Sequence, residues 1–296
     1  MMDQAQQLRN IIKKQNKMQH EARVITITSG KGGVGKSNIC VNLAIQLRRL
    51  GKRVVILDAD FGLANVEIML GVRPKYTLLE VLRGEKQLRD VVMEGPEGIG
   101  FISGGSGIRE LTNLTGDEVS ALIRMMFELD QLADVVIVDT GAGISDTVIE
   151  LVAASQEVLL VATPEPTSIT DAYALLKTLH RKSEFHNQDI KIKVIGNRIA
   201  SYEEGKELFD KLYIVVNKFL HIELEYLGTI PYDDYVPRAI IKQQPVTLSF
   251  PNAEASRAVF ELAMVLGEVE DEGLRNKKKG IAALFAKLLG KSSYLV

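Results

Sequence analysis

Short runs of consecutive apolar, mostly β-branched residues punctuate the chain: Val24 to Thr28, Val54 to Leu57, Val135 to Val138, Val158 to Val161 and Ile190 to Ile195. Runs this continuous predict strands covered on both faces, where no side of the strand meets water. Between them the apolar period lengthens to helical spacing, over about 38–50, 117–133, 146–155, 168–182, 203–220 and 253–267. Strand and helix in alternation predict an α/β fold with a mostly parallel sheet and helices on both faces, because parallel neighbours require a crossover.

Two segments break the pattern. Residues 1–22 set Leu8, Ile11 and Ile12 among Arg9, Lys13, Lys14 and Lys17, too polar for core, and read as an N-terminal extension before a domain spanning 23–267. Past 267 the chain turns from acidic (Glu268, Glu270, Asp271, Glu272) to basic (Arg275, Lys277, Lys278, Lys279), which marks 268–279 as a hinge. In 280–296, Ile281, Leu284, Phe285, Leu288 and Leu289 form one apolar stripe flanked by Lys287 and Lys291. This is the pattern of a basic amphipathic helix that lies on a membrane surface. At about 1.5 Å per residue, 280–290 would reach only about 16 Å, too short to cross a bilayer. The alternative is a stripe that docks on the protein's own surface or in a partner's groove.

Composition narrows the class. With 296 residues and 46% hydrophobic content the chain can bury a sizeable core, and 25% charged residues do not suit disorder. Lys plus Arg number 36 against 38 Asp plus Glu, so there is no global basic field and no nucleic-acid partner is expected. A single cysteine, Cys40, excludes an intrachain disulfide and a cysteine-ligated cluster held by one chain, and favours a reducing compartment. The polar start carries no leader-like apolar core, so a cytoplasmic protein is expected. The histidines at 20, 180, 186 and 221 are scattered, with no metal-binding spacing.

The chemistry concentrates in Gly30-Lys31-Gly32-Gly33-Val34-Gly35-Lys36-Ser37, between the first strand and the first helix. Gly30, Gly32 and Gly35 fit a dinucleotide fingerprint with Asp58 as the ribose acid. The same residues fit G-x-x-x-x-G-K-[ST], a nucleoside triphosphate loop. Lys36 and Ser37 favour the second, since a γ-phosphate and Mg²⁺ call for a cation and a hydroxyl at those positions. Asn217-Lys218-Phe219-Leu220 lacks the carboxylate of a guanine-reading motif, so adenine is preferred. Asp58 and Asp60 close the second strand and Asp139 closes the strand from Val135, all at the carboxyl edge where α/β ligands bind. Asp139 reads as the magnesium acid and Asp60 as the group that orients or activates water; a lone strand-end Asp could instead cap the next helix.

Lys31 to Ser37 match the deviant Walker A, K-G-G-x-G-K-[ST], and Phe61 to Asn65, Asp139 to Gly143 and Gly228 to Pro231 also resemble the MinD/ParA ATPases. The resemblance covers about 23–267 and implies a P-loop NTPase domain that binds ATP and Mg²⁺ as an ATP-dependent homodimer. It implies Lys36 on the β- and γ-phosphates and Ser37 with Asp58 and Asp139 at the metal. Lys31 would reach across to the other protomer's phosphates, although a solvated loop lysine is the plainer alternative. Asn38 stands where a second Thr or Ser is frequent, and Asn197 with the segment after Pro231 would form the adenine edge. Asp3-Gln4-Ala5-Gln6-Gln7-Leu8-Arg9 resembles D-Q-A-x-x-L-R of the flagellar-number branch of that family, FlhG, also called FleN or YlxH. That branch implies stimulation of the GTPase FlhF by Asp3, Gln4, Ala5, Leu8 and Arg9, contact with flagellar switch (C-ring) proteins, and reversible attachment to the inner face of the cell membrane. A frayed polar terminus is the alternative.

Overall fold

The computed structural model describes residues 21–60, 65–105, 116–182, 190–268 and 280–288. The expected extension residues Asp3 to Arg9, most of the hinge and Leu289 lie outside them, as do Phe61 to Ala64 after Asp60.

All five predicted strands form: β1 (Arg23–Ser29), β2 (Val54–Ala59), β5 (Val135–Ala142), β6 (Glu157–Ala162) and β7 (Lys191–Ile199). With β3 (Met93–Glu94), β4 (Gly100–Ser103) and β8 (Leu224–Pro231) they make one eight-stranded sheet in the order β3-β4-β2-β5-β1-β6-β7-β8. Every neighbouring pair is parallel except the short edge pair β3–β4. The carboxyl ends of β1, β2 and β5 therefore open at one edge.

Helices α1 (Lys36–Arg49), α2 (Asn65–Leu70), α3 (Leu78–Leu82) and α4 (Leu88–Val91) precede β3. They are followed by α5 (Gly116–Leu132), α6 (Asp146–Ala154), α7 (Pro166–His180) and α8 (Tyr202–Leu220). Then come α9 (Tyr235–Ile241), α10 (Val246–Ser249), α11 (Glu254–Glu268) and α12 (Ile281–Leu288). Alternate strand residues divide between two cores. Ile25, Ile27, Ile56 and Ile137 pack with α1 and α11, whereas Val24, Leu57, Val136 and Val138 pack with α5 and α12. Helices α6, α7 and α8 close the second face over β6 and β7. Cys40 is fully buried in α1, and burial pushes its thiol well above the usual range, so it is an inert core residue.

The C-terminal helix was expected to be a separable module and is found seated in the core. Ile281, Leu284 and Phe285 are buried against Leu122, Met126, Leu129 and Leu151, and Ala282, Ala283 and Ala286 are buried with them. Of the expected stripe, Leu288 is half-buried at the rim. Lys287 donates to the Ala154 carbonyl at the end of α6, 3.3 Å away, where a helix C-terminus favours a cation. Each fully buried large apolar side chain contributes about 1.5–3 kcal/mol, so this helix is part of what holds the domain together.

Candidate nucleotide site

The loop from Gly30 to Gly35 leads from β1 into α1, and its shape explains its glycines. A Cβ on Gly30 would collide with the α7 backbone at Asp171 and Ala172. Gly35 caps α1 at φ 99°, left-handed, and a Cβ there would meet the Asn197 amide. The first turn of α1 contains no acidic residue and its cap makes no side-chain hydrogen bond, so its N–H groups stay available to an anion. Gly32 and Gly33 are exposed, while Val34, Lys36 and Ser37 are buried.

The expected site residues converge at this edge. Asp58 and Asp139 are register partners on β2 and β5, so the two carboxylates are neighbours. Asp139 is fully buried, and neither carboxylate oxygen has a hydrogen-bond partner. Burial pushes its carboxyl up to about 6, against the pull of the Ser37 hydroxyl and the Lys36 ammonium, with Asp60 pushing further upward. Burial and the adjacent Asp139 push Asp58 to about 8, although Asp58 accepts the Asp60 backbone N–H at 3.0 Å. Burial lowers the pKa of Lys36, opposed by the charges of Asp139 and Asp60.

A buried carboxylate with both oxygens unsatisfied is costly unless a cation or donor completes it. Among the described residues no group of three or more His, Cys, Asp or Glu could hold a metal by itself. That suits Mg²⁺, which keeps waters and takes one or two carboxylates together with substrate phosphates. The donor set of one hydroxyl and two carboxylates fits that ion.

Asn197, at the end of β7, donates to the Val34 carbonyl at 2.7 Å and so braces the loop. Pro231 ends the neighbouring strand β8 at the same edge. Asn38 accepts the Asn42 amide, and Asn42 in turn accepts the N–H and hydroxyl of Thr247, tying α1 to α10. Lys31 is not simply solvated: its ammonium donates to Glu165 at 2.6 Å and to Thr167 at 2.8 Å in its own protomer.

Sequence reasoning missed Glu165, Thr167 and Arg198. Arg198 sits at φ 60° beside a register shift in β7 and donates to the Gly33 carbonyl at 2.8 Å. Glu165 was accessible as a fourth acid at the carboxyl edge, just beyond the end of β6, whereas the Arg198 backbone twist leaves no signature in residue type.

Comparison with known proteins places these features in a family. Residues 20–266 match the ParA family, described as NUBPL iron-transfer P-loop NTPase. With Cys40 as its single cysteine, this chain has no cysteine set for an iron cluster of its own. The antiactivator FleN of Pseudomonas aeruginosa is 46% identical over 250 residues, covering 84% of this chain and 88% of that protein. The flagellum site-determining protein YlxH of Helicobacter pylori is 36% identical over 271 residues, covering 90% of each. The MinC:MinD cell division protein complex of Aquifex aeolicus contains a chain of TM-score 0.65 and 28% identity, covering 83% of this chain and 96% of that one. The loop, the two buried acids on β2 and β5 and these matches together show that the chain belongs to the ParA/MinD family of P-loop ATPases.

Proposed function

We propose that this protein is an ATP-driven switch in which two protomers pair over bound ATP, the pair associates with the membrane surface and protein partners, and hydrolysis restores the monomer. The observation that carries the reading is Asp139, fully buried with two unpartnered oxygens beside the P-loop. Bound Mg²⁺ supplies charge neutralisation on phosphate oxygens, and Ser37, Asp139 and Asp58 would hold it. Lys36 and the α1 N–H groups bind phosphate oxygens. Asn197 and the segment after Pro231 bound the adenine side.

Asp60 orients the attacking water and accepts its proton. Lys31 neutralises phosphate charge in the partner subunit, as an arginine finger does elsewhere, and must first leave Glu165 and Thr167. That exchange ties phosphate contact to the paired state.

Likeness to an antiactivator FleN and a flagellum site-determining protein supports control of flagellar number or placement. In that role Asp3, Gln4, Ala5, Leu8 and Arg9 engage and stimulate the GTPase FlhF, and switch-complex proteins are further partners. No described helix is long and apolar enough to cross a membrane. In this reading attachment is by residues 280–296, of which the described helix 281–288 must leave the core to reach lipid. Pairing presents two such helices, and two linked weak contacts bind far more tightly than one.

Light scattering on the Asp60→Ala chain with ATP and with ADP, alongside sedimentation with phosphatidylglycerol vesicles, tests the reading. A stable dimer that pellets only with ATP is expected. A monomer under both nucleotides would overturn the pairing, and pelleting indifferent to nucleotide would overturn the membrane switch.

A further inference from the structure

The opposite edge of the sheet holds an arrangement that the nucleotide site does not use. Asp130, in the last turn of α5, is 1% exposed. Its Oδ1 accepts the Ala22 N–H at 3.3 Å and the Ile281 N–H at 2.8 Å, and its Oδ2 accepts the Ala282 N–H at 3.3 Å. Gly280 is pressed so closely against this carboxylate that a Cβ would collide with both oxygens. Next in the chain, Arg23 donates to the Leu266 carbonyl near the end of α11. Residues 22 and 23 are therefore tied to both ends of the 269–279 segment, and Ala22 is also the root of the N-terminal extension.

We propose that Asp130 is a common latch for the two ends of the chain: one carboxylate holds the root of the N-terminal extension and the first turn of the C-terminal helix, so that loosening either loosens the other. When α12 leaves, the Ile281 and Ala282 donors leave with it and water reaches the carboxylate. The Ala22 N–H then bonds a solvated acceptor that holds it less firmly. The coupling is reciprocal by linkage, so a protein that grips residues 1–20 and draws on Ala22 also favours release of the helix. Asp130 is thus a positioning residue for both tails and lies outside the ATP chemistry. The consequence for lipid binding rests on the proposed membrane switch, whereas the latch itself does not.

Hydrogen exchange on the full chain without nucleotide tests it, with Asp130→Asn as the first variant. The asparagine amide would set N–H donors against those of Ala282 or of Ala22 and Ile281. Exchange should rise together, by about tenfold or more, within 281–288 and at 22–24, while the centres of β5 and β6 stay protected. A response in one segment alone, or in neither, overturns the latch. Should Asp130→Asn unfold the whole chain, Gly280→Ala acts from the helix side. It should raise exchange at 22–24 across the shared carboxylate, and unchanged protection there overturns the proposal. Sedimentation of Asp130→Asn with vesicles of phosphatidylcholine and phosphatidylglycerol, again without nucleotide, separates the two ideas. Exchange that rises in both segments without pelleting upholds the latch and removes the membrane role.

Discussion

The two edges of the sheet handle buried charge in opposite ways. At the carboxyl edge, Asp139 is sealed from water with neither oxygen satisfied, and Asp58 lies beside it as a second acid. At the amino edge, Glu157 is also buried, yet it receives both arms of Arg23 at 2.7 Å and Lys193 at 2.9 Å. Burial alone would raise its pKa, but the Arg23 and Lys193 charges outweigh that and hold it below the usual glutamate range. Both edges bury carboxylates, and only one leaves them open to a ligand. The incomplete set marks the chemistry, and the complete set marks structure.

The largest test of that contrast removes the structural acid. Glu157→Gln leaves Arg23 and Lys193 facing each other without a counter-charge and should cost about 3–5 kcal/mol in urea unfolding, a large part of a domain's stability. In the parent protein the Glu157 contribution is complete above its ordinary value of 4.5. It is lost as pH falls through the depressed native value, so the urea midpoint should drop below about pH 4.5 and the variant should lack that part of the drop. Next in size is Lys36→Gln, expected to lower ATP turnover by about 10²–10³-fold and abolish ATP-dependent pairing, with the unfolding midpoint nearly unmoved. A collapse in stability there would mean that the carboxyl edge is structural as well.

Asp60→Ala should retain ATP and lower turnover by about a hundredfold, read by phosphate release; normal hydrolysis would remove its assigned role. The smallest effect is expected from Lys287→Ala, under about 1 kcal/mol, because its hydrogen bond to the end of α6 is only half-buried.

Much of this arrangement was legible beforehand, for reasons specific to each element. The central strands announce themselves because burial on both faces leaves runs such as Val135 to Val138 without polar alternation. The P-loop is readable because Lys36 and Ser37 are demanded by chemistry, whatever surrounds them. Short edge strands such as Met93–Glu94 carry too few residues for any period to show. The docking of Ile281 to Ala286 was not decidable from its stripe, since an apolar face looks the same toward lipid and toward a core. What settles it is the space between α5 and α6, made by residues more than a hundred positions away. Lys31 shows the same limit, for its partners Glu165 and Thr167 arrive through the fold.

The burial of Cys40 has a practical consequence. With its thiol shielded and its thiolate disfavoured, the native protein should ignore maleimide reagents, although it contains a cysteine. A cysteine introduced at an exposed position then becomes a solitary attachment point without any background substitution in α1. Paired dyes placed in this way on the body of the domain and near residue 288 could follow the C-terminal helix in real time, in the sequence as it stands.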